Sequence, residues 1–122
     1  MVITTYTLGI ADTQTLNVFD DVTHMAFGDN TSDSNIGQTA LGNELLRVPA
    51  SATKNTGTNV YSFVGTVPIT KLNSSTINEI GLFNASSGGN MAVRTVLDTG
   101  LTKTDDDELV ITIDIEINTK NT

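Results

Sequence analysis

Cysteine is absent from the 122 residues, which excludes disulfides, thiolate nucleophiles and zinc–thiolate sites. Tryptophan is absent too, and four Phe and two Tyr are a thin stock of aromatics for walling a sugar-binding cleft. One histidine, His24, leaves little material for proton relays. Cations are scarce: six Lys and Arg stand against 14 Asp and Glu, for a net charge of −8. The six (Arg47, Lys54, Lys71, Arg94, Lys103, Lys120) are scattered singly, whereas a phosphate binder clusters them, so no nucleic-acid partner is expected. No apolar run approaches the ~18–20 residues of a membrane span. No basic segment precedes an apolar stretch at Met1, so neither a membrane partner nor a signal peptide is expected. Acidic surfaces repel other acidic surfaces, and this balance is also compatible with a high-salt habitat.

What is plentiful is Thr, followed by Val, Ile, Asn and Ser. Thr, Val and Ile suit pleated strands; Asn, Ser and Gly suit the turns between them. The length fits one domain, residues 1–122, burying roughly two thirds of its unfolded surface. Strands are expected at residues 2–8, 15–19 and 22–27. In the last of these, Val22, His24 and Ala26 face one way, and Thr23, Met25 and Phe27 the other. Residues 28–37 form a polar loop. Residues 39–47 are the single helical candidate, with Leu41 and Leu45 four apart; Gly42 interrupts it and Pro49 biases Val48 away from helix, which leaves one or two turns.

Strand signals strengthen from residue 60. Tyr61, Phe63 and Val67 alternate with Val60, Ser62, Val64 and Thr66. Residues 76–84 and 91–98 flank Ala85-Ser86-Ser87-Gly88-Gly89, a loop with the size and composition of a hairpin turn. The clearest period of two comes last: Leu109, Ile111, Ile113, Ile115 and Ile117 face a core or an interface, opposite Glu108, Val110, Thr112, Asp114 and Glu116. Short strands separated by turn clusters, without crossover helices, predict an all-β, compact antiparallel β-sandwich.

Several sets of residues invite a chemical reading. His24 near Asp20 and Asp21 evokes a Ser-His-Asp triad, but no G-x-S-x-G elbow is present and His24 lies within a strand pattern. A two-carboxylate glycosidase would draw on Glu44 or Glu79, yet it lacks the aromatic cleft. Asp29, Thr31, Asp33 and Asn35 place oxygen side chains at alternate positions, as a calcium loop begins. Ser34 stands where an EF-hand needs Gly and Ala40 where it needs Glu, so Asp29, Asp33 and Asn35 are a weak metal candidate and a solvated loop is the expectation. Asp105 to Asp107 read as a turn tightened by side-chain hydrogen bonds. The sequons at Asn30, Asn73 and Asn84 are expected by chance in so Asn-, Ser- and Thr-rich a chain. No cofactor and no catalytic residue is expected.

One ordered set rises above chance. Met25-Ala26-Phe27-Gly28 ends a strand before a polar loop, and Thr39-Ala40-Leu41-Gly42-Asn43-Glu44 leads to Arg47. Then come Ile77-Asn78-Glu79-Ile80-Gly81-Leu82-Phe83-Asn84-Ala85-Ser86-Ser87-Gly88-Gly89, an Arg at 94, the turn Lys103-Thr104-Asp105-Asp106-Asp107 and the alternating last strand. Together these resemble small virion proteins of tailed bacteriophages and the N-terminal domain of their tail-collar and tail-fibre proteins. The resemblance covers about three quarters of the chain. It implies a non-enzymatic virion structural protein, a homotrimer first among oligomers, docked on other virion proteins at the tail or the capsid surface. In tail fibres a long fibrous region follows such a domain; a stand-alone copy fits tail, neck or capsid decoration. The resemblance also implies that Ser86, Gly88 and Gly89 make a hairpin turn. Pairing across that turn places Glu79 and Arg94 nearly opposite, either as a solvated pair or partly buried at a subunit contact. The competing expectation is a carbohydrate- or host-receptor-binding module, against which the scarce aromatics weigh.

Overall fold

The structure, a computed structural model, describes residues 2–10, 21–34, 38–55 and 60–117. Among the described residues seven strands follow one another: β1 (Val2–Ile10), β2 (His24–Gly28), β3 (Glu44–Asn55), β4 (Val60–Val67), β5 (Thr76–Phe83), β6 (Met91–Thr102) and β7 (Leu109–Ile117). They line up in the order β1-β7-β4-β3-β2-β5-β6. Every pairing among these seven is antiparallel except β1 with β7, which is parallel. The fold is all-β, as expected, and the described residues contain no helix.

Strand β3 joins two halves of a curled sheet. Its first part pairs with β2, up to Pro49 opposite His24; from Ala50 opposite Gly65 it pairs with β4. Pro49 has no N–H to give a ladder and sits where β3 changes neighbours, a place a strand proline tolerates. Ala50 N instead donates to Thr23 O at 2.9 Å. The inner faces of both halves fill one core: Met25, Phe27, Ile80 and Leu82 from one, Phe63, Ile111, Ile113 and Ile115 from the other. A Cβ on Gly65 would stand 2.8 Å from Met25 Sδ, so glycine is what lets β4 and β2 approach there.

The alternation read in the sequence is met in β4 and β7. Tyr61, Phe63 and Val67 are buried, and so are Leu109, Ile111, Ile113 and Ile115, while the residues between them are half-buried. The side chain of Ile117 and the predicted strand at 15–19 lie outside the described residues. The helical expectation at 39–47 fails: Glu44 to Arg47 open β3. Leu41 and Leu45 do not share a helical face. Leu41 is buried against Ala26 and Phe83, whereas Leu45 is 38% exposed. The extended bias that Pro49 imposes on Val48 serves a strand instead. Residues 48–55, with no clean alternation, gave no strand signal and are strand because β2 and β4 flank them. The hairpin of β5 and β6 forms as expected, with β6 continuing to Thr102, and Gly88 (φ 58°) and Gly89 (φ 72°) take the left-handed backbone its turn requires.

Candidate functional site

Strands β2 and β5 are buried on both faces, which alternation alone does not predict. Their inner residues join the main core. Their outer residues carry two cross-strand rows. One runs Arg47–Ala26–Gly81–Arg94 across β3, β2, β5 and β6; the next runs Glu44–Gly28–Glu79–Val96. The first row puts small residues in the middle and charge at both flanks; in the second, Gly28 makes room beside Glu79. The small residues make room. A Cβ on Gly81 would meet Leu41 Cδ2 and Phe83 Cε1, each at 2.9 Å, and one on Gly28 would collide with Asn43 O and Glu79 Oε2. Into this trough fits the connection between β2 and β3, described at residues 29–34 and 38–43, with Leu41 packed on Ala26 and Phe83.

Glu79 is the centre of the platform. It is 0% exposed, and Arg94 Nε donates to its Oε1 at 2.9 Å. Gly42 N donates to Oε1 at 2.8 Å; Asn43 N and Asn30 N donate to Oε2 at 2.8 and 3.1 Å. Four donors thus converge on one carboxylate. Burial pushes its pKa up, but the amide of Asn43, the guanidinium of Arg94 and the amides of Gly42 and Asn30 outweigh that and hold it below the ordinary glutamate value of 4.5. Arg94 spends its other nitrogens on the same loop: Nη1 reaches Ser32 O at 2.9 Å, Ser34 Oγ at 3.3 Å and Gln38 Oε1 at 3.4 Å, and Nη2 reaches Asn30 Oδ1 at 3.3 Å. Ser34 Oγ donates back to Arg94 O at 3.1 Å. Among the described residues no buried side-chain polar atom lacks a partner.

Two further cations do similar work. Arg47 forms a bidentate pair with Glu44 (2.7 and 2.9 Å), stacks 3.7 Å above the Phe83 ring, and donates from Nη1 to Ala85 O and Gly88 O at 3.0 and 2.8 Å. It thereby pins the hairpin turn. Lys103, 3% exposed, gives its ammonium to Ile69 O (2.8 Å), Thr104 O (3.2 Å) and Asn73 Oδ1, tying down the β4–β5 connection in which Leu72 and Ser74 have positive φ. Three acceptors match the three donors of an ammonium.

The structure brings Glu79 and Arg94 together on one face, as expected, but diagonally: Glu79 faces Val96 and Arg94 faces Gly81. They are buried beneath the chain's own β2–β3 connection, which corrects the solvated-pair reading. Ser86, Gly88 and Gly89 lie in the hairpin turn, and Ile113 is fully buried. Of the weak metal candidate, Asp29 Oδ1 accepts from Asn43 Nδ2 at 2.8 Å, Asp33 is exposed, and Asn35 lies outside the described residues. Among the described residues no three acidic or histidine side chains are grouped to hold a metal. Asp105 to Asp107 form a turn in which Thr104 Oγ1 donates to Asp107 Oδ2 at 2.9 Å, and that bond leads the causes holding the Asp107 carboxyl below its ordinary value. His24 Nδ1 bonds Thr23 Oγ1 at 2.8 Å. Glu44 is committed to Arg47 and Glu79 is sealed under the loop, so the two do not form an accessible acid–base pair. The sequon residues Asn30, Asn73 and Asn84 use their carboxamide oxygens in turns, on Ser32 N, Lys103 Nζ and Asn90 N.

Sequence reasoning missed Arg47, Lys103, Gly28, Gly81 and Asn43 as members of these clamps. A signal existed in the scarcity of cations, of which Arg47 and Lys103 are two of six. A shallow depression of about 300 Å³ lies at the foot of the hairpin, lined by Asp21, Val22, Asn84, Asn90, Met91 and Ala92. No protein-family model, curated protein or solved structure matches the chain.

Proposed function

We propose that the chain is a non-enzymatic structural subunit of a tailed virus particle, assembling with copies of itself, as a trimer first, and docking on other virion proteins at the tail or the capsid surface. One observation supports this reading above the others. The residues that carry the resemblance to phage virion proteins (Gly28, Leu41, Asn43, Arg47, Glu79, Gly81, Arg94, Lys103) are the ones that strap loops to the sheet. Their charges are spent internally on fixing shape. Relative to apolar packing, a buried ion pair adds little net stability, but it penalises every alternative arrangement that leaves one partner unpaired. A loop held in one place over a sheet offers a rigid surface for docking at little cost in ordering.

The carbohydrate- or receptor-binding module is the second reading. The depression at the foot of the hairpin has polar side chains to meet a hydroxylated ligand, but among the described residues no aromatic side chain lines it for a sugar face to stack on. Sedimentation of a virus-producing lysate through a density gradient tests the proposal. The protein is expected to travel with particles and to be detected in them by mass spectrometry. Recovery only from the slow-sedimenting fraction, together with glycan binding by the purified protein, would replace the structural reading with the binding-module one.

A further inference from the structure

The depression at the foot of the hairpin is framed on both sides by fixed backbone. On the hairpin side, Asn84 N donates to Asn90 O at 3.2 Å and Asn90 N to Asn84 Oδ1 at 2.7 Å, which closes the base of the β5–β6 turn. Arg47 pins the turn itself through Ala85 O and Gly88 O. On the other side, Thr23 N donates to Phe83 O and Ala50 N to Thr23 O, each at 2.9 Å, and Val22 is 5% exposed in the main core. Asp21, next to Val22 in the chain, stands exposed at the rim.

The lining divides evenly by chemistry. Val22, Met91 and Ala92 are apolar and at least half-buried; Asp21, Asn84 and Asn90 are exposed and carry side-chain oxygens. Asp21 brings a negative charge, and among the described lining residues no cation answers it. Its carboxylate and the Asn90 carboxamide make no hydrogen bond or ion pair among the described residues. A volume of about 300 Å³ stands at the small end of the roughly 300–1,000 Å³ of ligand sites, room for one long side chain. An aliphatic stem that ends in a positive charge meets both halves of this lining, the stem on the apolar residues and the head on the oxygens. The chain already holds one ammonium in this way: Lys103 Nζ donates to Ile69 O, Thr104 O and Asn73 Oδ1, two carbonyls and a carboxamide. An ammonium has three donors to give, and three oxygen-bearing residues line the depression. The net charge of −8 draws cationic partners toward the molecule and repels anionic ones.

We infer that the depression is a socket for a lysine side chain of a partner protein, its stem lying on Val22, Met91 and Ala92 and its ammonium meeting Asp21, Asn84 and Asn90. The inference rests on the docking subunit proposed above and names where that subunit docks and the chemistry it meets there.

Nα-acetyl-lysine N-methylamide serves as the probe, and its norleucine counterpart, with a methyl group in place of the ammonium, as the control. In nitrogen-15 correlation spectra of the full chain, the lysine probe at millimolar concentration is expected to shift the backbone amides of Asp21, Val22, Asn84, Asn90, Met91 and Ala92. The norleucine control and the Asp21→Asn variant should each bind about three- to fivefold more weakly, as the loss of an exposed ion pair dictates. Equal shifts with the two probes, no shift at these residues, or an undiminished response in Asp21→Asn overturns the socket. A response to methyl glucoside in place of lysine overturns it as well and favours the binding-module reading. The density gradient supplies a second arm. Asp21→Lys sets a cation where one is to be received, and it is expected to leave the particle fraction with its circular dichroism and melting temperature unchanged. Its retention beside wild type overturns the socket and leaves the structural subunit standing. Wild type absent from the particles overturns the structural subunit, and the probe titration then decides the socket by itself.

Discussion

Glu79 gathers four hydrogen-bond donors without any exposure to water, so its charge is integral to the way the β2–β3 connection is held. Glutamine at this position would replace one accepting oxygen with a donating nitrogen. Whichever way the amide turned, that nitrogen would face two donors. Glu79→Gln is expected to cost about 3–5 kcal/mol, and Arg94→Ala a similar amount, because each leaves a buried charge or polar cluster without its partner. Thermal unfolding measures this, and two variants melting with wild type would remove the platform from the account. The pH dependence follows from the same residue. The folded pKa of Glu79 lies below the unfolded value, so its contribution is complete above the ordinary glutamate value of 4.5 and is lost as pH falls through the folded pKa. The melting temperature of wild type should therefore drop on acidification below about pH 5, while Glu79→Gln, which carries no titrating group there, should drop less.

At the scale of elements, the two faces of one strand answer to different neighbours. β7 presents Leu109, Ile111, Ile113 and Ile115 to the core formed by both halves of the sheet. Ile113→Ala should cost roughly 2–5 kcal/mol from lost burial and the cavity left behind, read from denaturant unfolding with the slope unchanged. β5 has no exposed face to spare over residues 80–83, and its outer face depends on absent side chains as much as on present ones. Gly81 lies between Arg94 and Ala26 in a cross-strand row, beneath Leu41. Gly81→Val is expected to destabilise by about 1–3 kcal/mol through overpacking, and to expose the β2–β3 connection to proteases that spare wild type. Equal protease resistance in the variant would mean that the connection is held elsewhere.

For the whole molecule, the acidic balance and the buried cations belong to one arrangement. Arg47, Arg94 and Lys103 are half of the chain's six cations, and each is turned inward to bind carbonyls or carboxylates. The surface is left more negative than the composition alone conveys, which favours solubility and directs docking toward neutral or basic partner surfaces. The acidic turns around Asp29 and Asp107 are satisfied by Asn43 and Thr104. The melting temperature should accordingly be the same in excess EDTA as in millimolar calcium. A fall in chelator that calcium reverses would reinstate the loop of Asp29 and Asp33 as a cation site.

The all-β class, the alternation of β4 and β7 and the β5–β6 hairpin were legible in the sequence, because each depends on side chains two residues apart or on turn residues between them. Lys103 to Asp107 read correctly as a turn for the same local reason. The fate of residues 39–47 was not legible: two leucines four apart satisfy a helix as well as they satisfy one buried contact and one exposed strand position. The diagonal register of Glu79 and Arg94 was hidden too, since irregularities at Ile77/Glu79 and Leu82/Phe83 shift the ladder in ways that composition does not record. Which charges are buried was decided only when β2, β3, β5 and β6 aligned Arg47, Ala26, Gly81 and Arg94 in one row and the β2–β3 connection settled over it. A charge is buried by what lies across it, and residues distant in sequence supply that cover only in the folded chain.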